Sequence, residues 1–214
     1  RPVWFARVAN NPNKQDHGVY GWWARRTLRR ADIYLANAKA LADSFEAFYP
    51  FATGRVRLLH NPTNFSQIDL RAAEPTDLDL TRRPTIVSVG RLHPQKRFDV
   101  LLEAFARVRR SLDVELIILG DGDLRDALEK QAVSLGVQDA VRFPGFLTNP
   151  YAVMARANLF VLSSDFEGLP NALIEAQGLG IPAVATDCPT GPADIVVPGQ
   201  TGQLVPMQDP QAMA

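Results

Sequence analysis

Thr85-Ile86-Val87-Ser88-Val89-Gly90-Arg91-Leu92 is a short apolar run that breaks at a glycine, and the pattern then repeats. An amphipathic segment at 98–110 leads to a second run, Leu116-Ile117-Ile118-Leu119, and another amphipathic segment follows at 124–135. Runs this short and this rich in Val, Ile and Leu suit strands buried on both faces, with crossover helices between them. The alternation predicts strands at 85–89, 114–119, 140–143, 159–162, 183–185 and 203–205, and helices at 98–110, 124–135, 151–157, 172–179 and 192–196. Right-handed crossovers make this an α/β fold, a Rossmann-like doubly wound parallel sheet over 84–214.

Upstream, strands are expected at 3–8, 33–36 and 56–59 and helices at 22–30 and 38–48, enough for only part of a second Rossmann-like domain. Residues 1–60 are therefore taken as the C-terminal remnant of that domain. Residues 61–83, with Asn61-Pro62-Thr63-Asn64 and Glu74-Pro75-Thr76-Asp77, show no convincing periodicity and read as a linker. The chain starts without Met inside a predicted strand and stops at Asp209-Pro210-Gln211-Ala212-Met213-Ala214, the opening of a helix. The expectation is a fragment whose second domain is truncated at its C-terminus.

The 214 residues are 46% hydrophobic and carry 23 basic and 23 acidic side chains, so a sizeable core is affordable and a disordered chain is excluded. Zero net charge hides a split, +6 over residues 1–60 and −6 over 61–214. The basic part can meet phosphate, anionic lipid or nucleic acid; nucleic acid fits least, because the larger module is acidic. Gly21-Trp22-Trp23-Ala24-Arg25-Arg26-Thr27-Leu28-Arg29-Arg30 sets two tryptophans beside four arginines, so the helix from Trp22 to Arg30 is either a peripheral membrane contact or a helix with its indoles packed inward. No apolar run reaches the length of a membrane span and no signal peptide is visible. The single cysteine, Cys188, reads as a small buried side chain and fits a reducing compartment. The location expected is cytoplasmic, including the inner membrane face.

In an open parallel sheet, ligands bind beyond the carboxyl ends of the strands, so the informative residues are those that follow strands. Four loops qualify. Gly90-Arg91-Leu92-His93-Pro94-Gln95-Lys96 offers close backbone approach at Gly90 and two cations, Arg91 and Lys96, that can neutralise a diphosphate without a metal. The plain alternative is two surface charges. Gly120-Asp121-Gly122 is a turn in the right place, with Asp121 open to capping a helix. In Phe143-Pro144-Gly145-Phe146-Leu147-Thr148-Asn149, Gly145 permits backbone approach, Phe146 either borders a nucleobase or is buried beside the turn, and Thr148 or Asn149 caps the next helix.

The fourth loop, Ser163 to Glu175, places Glu167 after a strand and Glu175 about one turn into a helix, so both can face one crevice. The amides of Gly168, Leu169 and Asn171 can point at an anion there, while Pro170 suits a first helical turn. Otherwise Glu167 serves the helix dipole and Glu175 a surface ion pair. Glu175 interrupts the apolar run Ala172-Leu173-Ile174, which is more natural for a carboxylate lining a cleft.

These loops in this order resemble the family-4 glycosyltransferases, metal-independent enzymes with two Rossmann-like domains facing each other (the GT-B fold). The resemblance spans nearly the whole chain. It rests on Ser88-Val89-Gly90-Arg91-Leu92 with Lys96, Gly120-Asp121-Gly122, Phe143-Pro144-Gly145, the Glu167/Glu175 pair and Gly199-Gln200-Thr201-Gly202. It implies a donor domain and an acceptor domain, and retention at the anomeric carbon. By it, Arg91 and Lys96 hold the donor diphosphate, Glu175 meets the ribose hydroxyls, and Glu167 meets the donor sugar as the catalytic residue. Gly90, Gly168, Leu169 and Asn171 join the diphosphate site; Gly120, Asp121, Gly145 and Phe146 join the nucleoside site.

The partners implied are a nucleotide sugar as donor substrate and a carbohydrate or lipid-linked acceptor, with neither cofactor nor metal. Thr186-Asp187-Cys188-Pro189-Thr190-Gly191-Pro192 resembles members using UDP-linked hexoses or N-acetylhexosamines in polysaccharide and glycan assembly. Two positions depart from the family pattern. Arg97 stands where glycine commonly follows the lysine, and is expected to extend the basic surface. Arg7-Val8-Ala9-Asn10-Asn11 replaces a loop that often carries a histidine, and His17, His60 and His93 do not obviously substitute, leaving Asn10 as a polar stand-in. The rival class is a non-catalytic nucleotide-binding or interaction module; a dinucleotide oxidoreductase lacks its G-x-G-x-x-G after the first strand of the main module.

Overall fold

The computed structural model describes residues 2–8, 19–80 and 83–214. Asn10, Asn11 and His17 lie outside them. By their contacts the residues form two units: the first ends at Pro62 and also takes in Glu167–Pro170 and Pro189–Asp194, and the second begins at Thr63.

The first unit holds three parallel strands, β1 (Phe5–Val8), β2 (Ile33–Ala36) and β3 (Val56–Leu58), in the order β1-β2-β3, with helices α1 (Val19–Leu28) and α2 (Lys39–Phe48). Its core is aromatic. Tyr34 on β2 is fully buried against Phe45 of α2 at 5.2 Å between rings, and Tyr49 packs on Phe45 at 4.9 Å.

In the second unit, β4 (Thr85–Val89), β5 (Glu115–Leu119), β6 (Val141–Gly145), β7 (Leu159–Leu162), β8 (Ala183–Thr186) and β9 (Gly202–Val205) form one parallel sheet in the order β6-β5-β4-β7-β8-β9. Chain progress reverses between β4 and β7, which is the switch point of a doubly wound sheet. Strand alternation supplies both faces. Leu116 and Ile118 pack with Leu102 and Phe105 of α4 (Phe98–Val108) and Leu128 of α5 (Arg125–Ser134), while Ile117 and Leu119 pack with Met154 of α6 (Tyr151–Met154) and Leu173 of α7 (Asn171–Gly178).

Three local features differ from the sequence expectation. Residues 61–83 contain a helix, α3 (Phe65–Ala72), started by the Asn64 side chain accepting from the Gln67 amide at 3.0 Å and buried through Ile68 and Ala72. β6 runs on through Pro144 to Gly145. α6 stops at Met154 because Asn158 turns the chain into β7, exchanging hydrogen bonds with the Thr85 backbone at 2.8 Å each way. After α8 (Pro192–Ile195) and β9, Asp209 caps α9 (Pro210–Met213) through the amides of Gln211 and Ala212.

Candidate active site

The loop leaving β4 is short and internally braced. Leu92 is buried, the His93 ring accepts from the Gln95 amide at 3.2 Å, and a single 3-10 turn carries Pro94 to Lys96. Lys96 folds back over Gly90 so closely that a Cβ there would lie 3.1 Å from the lysine Cε. The glycine thus makes room for the cation. Arg91 is exposed beside it.

This loop is tied to the loop leaving β7, its neighbour across the switch point. The Ser163 hydroxyl donates to the Lys96 carbonyl at 2.6 Å, the Asp165 amide to the Gln95 carbonyl at 2.9 Å, and the Gln95 side chain to the Phe166 carbonyl at 2.7 Å. Arg97 completes the tie. Its backbone is left-handed (φ 48°), the conformation that favours glycine, and its guanidinium pairs with Asp99 at 2.9 Å and Asp165 at 3.2 Å. The hydrogen bond to Asp99 heads the causes that raise the Arg97 pKa. Burial opposes the Asp99 charge, yet the Arg97 bond and charge hold that carboxyl below its ordinary range. Arg97 therefore joins two loops rather than extending a basic surface.

The next two loops interlock with the first through glycine. A Cβ at Gly120 (φ +135°) would lie 2.0 Å from the Gly90 carbonyl oxygen, and one at Gly122 would lie 2.5 Å from that of Leu92. The Gly120 amide donates to Gly145, itself at φ +88°. Asp121 accepts from the adjacent Gly122 amide and no side chain caps α5. The result is a pocket of about 490 Å³ lined by Val89, Gly90, Arg91, Gly120, Asp121 and Phe146, with Leu119, Leu147 and Pro150. Phe146 is 76% exposed at its rim, so the buried alternative for this ring does not hold.

Glu175 lies on α7, half-buried, and accepts the Tyr151 hydroxyl at 3.2 Å. Burial raises its pKa, with the Tyr151 bond pulling the other way. Tyr151 is the missed partner: it follows pocket-lining Pro150 but lies 24 residues from Glu175, and no spacing rule links them. Helix α3 braces this corner. Arg71 stacks over the Tyr151 ring at 5.4 Å and donates to the Thr148 carbonyl. A Cβ on Gly178 would collide with Phe65. Asn149 donates to the Arg71 carbonyl and to Glu74 at 2.8 and 2.7 Å; α6 has Pro150 at its N-cap and no side-chain cap. Asn149 is thus a tie to α3 and does not cap a helix.

Glu167 is 7% exposed, and Gly168, Leu169 and Pro170 are buried with it. Its carbonyl accepts the buried Thr190 hydroxyl. Gly191 lies so close that a Cβ would sit 2.6 Å from the Gly168 carbonyl oxygen. These residues, and exposed Asn171 at the start of α7, are not among those lining the Gly90–Phe146 pocket. Cys188 is buried. Among the described residues no three His, Cys, Asp or Glu side chains gather as a metal-holding group.

Residues 83–214 match the family model described as Glycosyl transferases group 1. A Campylobacter jejuni enzyme, N-acetylgalactosamine-N,N'-diacetylbacillosaminyl-diphospho-undecaprenol 4-alpha-N-acetylgalactosaminyltransferase, is 31% identical over 184 residues, 86% of this chain and 49% of that protein. The solved apo structure of the lipopolysaccharide outer core galactosyltransferase WaaB superposes with a TM-score of 0.68 at 27% identity, over 86% of this chain and 50% of that one. Anabaena HepE, solved with UDP and glucose, gives a TM-score of 0.82 at 23% identity, over 100% of this chain and 60% of HepE, a likeness of fold. The chain spans about half the length of the curated relatives it matches.

Proposed function

Because the chain belongs to the glycosyl transferases group 1 family, we propose that it supplies the donor side of a retaining glycosyltransferase. The enzyme moves a hexose or N-acetylhexosamine from a UDP sugar to a carbohydrate or lipid-linked acceptor in glycan or polysaccharide assembly. The observation that carries this is the pocket at the carboxyl ends of β4, β5 and β6, apolar at Phe146 and Leu147 and cationic at Arg91. That polarity suits a nucleobase at one end and a diphosphate at the other. HepE, solved with UDP and glucose, and the Campylobacter enzyme, which acts on a diphospho-undecaprenol, support the same donor and acceptor classes.

In this proposal Arg91 and Lys96 take the diphosphate charge without a metal, and Glu175 accepts from the ribose hydroxyls. The bond from the anomeric carbon to the diphosphate oxygen breaks, and a bond to the acceptor hydroxyl oxygen forms on the same face. The hydroxyl proton passes to the departing diphosphate. Preorganised cations stabilise that leaving group more as its charge grows, which is where catalysis gains. Glu167 meets the donor sugar at the reacting face.

A thermal-shift panel of UDP, GDP and UDP sugars tests the nucleotide, with UDP and its sugars expected to raise the melting temperature most. In the complete protein, Glu167→Gln should abolish transfer while nucleotide affinity stays within a few-fold. Unchanged transfer would overturn the role of Glu167. Nucleotide binding without transfer by the unaltered complete protein would leave a binding module.

A further inference from the structure

Helix α1 has two faces with different fates. Arg25 lies over the rings of Phe48 and Tyr49 at 5.2 and 5.7 Å, and Arg29 over Phe51 at 5.3 Å. Helical spacing puts Trp23, Arg26 and Thr27 on the other side, and Arg30 follows in the turn after the helix. Trp23 is 59% exposed there, and Arg26 and Arg30 are exposed with it. The inward-packing alternative for the indoles therefore does not describe Trp23.

Past the end of the helix lies a pocket of about 570 Å³ lined by Trp4, Arg29, Arg30, Asp32 and Arg55 with Ala31. Trp4 is 52% exposed. Arg55 donates to the carbonyls of Ala31 and Phe51, and Asp32 accepts the Trp4 amide at 3.0 Å. Three guanidinium groups thus line a pocket with one carboxylate, and Trp4 lines it with them.

We propose that this face docks on an anionic phospholipid bilayer, with Trp23 and Trp4 at the head-group level and Arg26 and Arg30 against lipid phosphates. The pocket takes one head-group phosphate. Indoles favour the membrane interface because one part of the ring is apolar and the N–H stays wet, and each arginine near an anionic surface adds attraction. Residues 61–214 carry −6, which suits an anionic plane met by one face better than a polyanion sampled from all sides. No helix among the described residues is long and apolar enough to cross a membrane, so the contact is peripheral.

Co-sedimentation of the whole chain with vesicles tests this, without nucleotide, so that it stands apart from the donor site. Phosphatidylcholine vesicles containing about one-third phosphatidylglycerol should retain the chain, pure phosphatidylcholine should not, and rising salt should release it. Tryptophan emission should shift to the blue on binding. Arg26→Ala with Arg30→Ala should weaken partitioning roughly tenfold or more, and Trp23→Ala several-fold, with melting temperatures unchanged. The proposal is overturned by no retention at low salt, by equal retention on neutral vesicles, by variants that bind as well as the unaltered chain, or by a single-stranded oligonucleotide that binds more tightly than the vesicles.

Discussion

Arg97, at φ 48°, reaches Asp165 at 3.2 Å and so joins the loop leaving β4 to the loop leaving β7 across the switch point. A left-handed backbone costs a residue with a Cβ about 1–2 kcal/mol. Here a second pairing, to Asp99, helps offset that cost. The backbone at Arg97 is one that glycine would adopt without that cost.

Arg97→Gly and Arg97→Ala should consequently separate. Both lose the pairs to Asp99 and Asp165, but only glycine sheds the strain, so Arg97→Gly should be the more stable of the two by about 1 kcal/mol. Thermal or urea unfolding of both variants checks the order, and alanine proving the more stable would contradict it.

Gly120→Ala should disrupt the pocket from the β5 side. Its Cβ would lie 2.0 Å from a backbone oxygen, an atom unable to swing away as a side chain does. A loss of roughly 2–4 kcal/mol in unfolding free energy is expected, with weakened UDP binding. Gly54, at φ +74° with nothing within 4 Å of a built Cβ, is the control for a left-handed backbone without a collision.

Phe146→Ala should leave stability within about 0.5 kcal/mol, since the ring is exposed. If it stacks on the base, UDP affinity falls by about 1 kcal/mol, roughly five-fold. Calorimetric titration separates the two effects; unchanged affinity would place the base elsewhere.

The Glu175 carboxyl is raised by burial, less the opposing pull of the Tyr151 hydroxyl. A raised pKa in the folded state means a stabilising contribution that is complete below the unfolded value and lost as pH rises through the folded one. Glu175→Gln should therefore gain stability relative to the unaltered chain as pH climbs through and above the ordinary glutamate range, while losing UDP affinity. Melting curves across that range, paired with UDP titration, check both signs. Tyr151→Phe should raise the carboxyl further.

Strand positions and the glycines at strand ends were legible because period and backbone sterics are local. Thr85 to Val89 and Leu159 to Leu162 needed nothing beyond their own side chains. Helix α3 was not, because its buried stripe is only Ile68 and Ala72, one turn apart, and the Asn64 cap was masked by neighbouring Pro62. The Tyr151–Glu175 bond and the Arg97–Asp165 pair span 24 and 68 residues and exist only once the sheet order brings their loops together. The cations and carboxylates are visible residue by residue, whereas their pairing depends on contacts far apart in the chain.

The proposed donor site rests on Arg91 and Lys96, and titration of UDP into the chain with a metal chelator present measures that dependence. Saturable binding is expected, weakened at least about tenfold in Arg91→Ala and in Lys96→Ala, since each loses a charge-assisted contact to phosphate, with melting temperatures little changed. Absence of binding, or affinity untouched by either substitution, would contradict a diphosphate site at the switch point between β4 and β7.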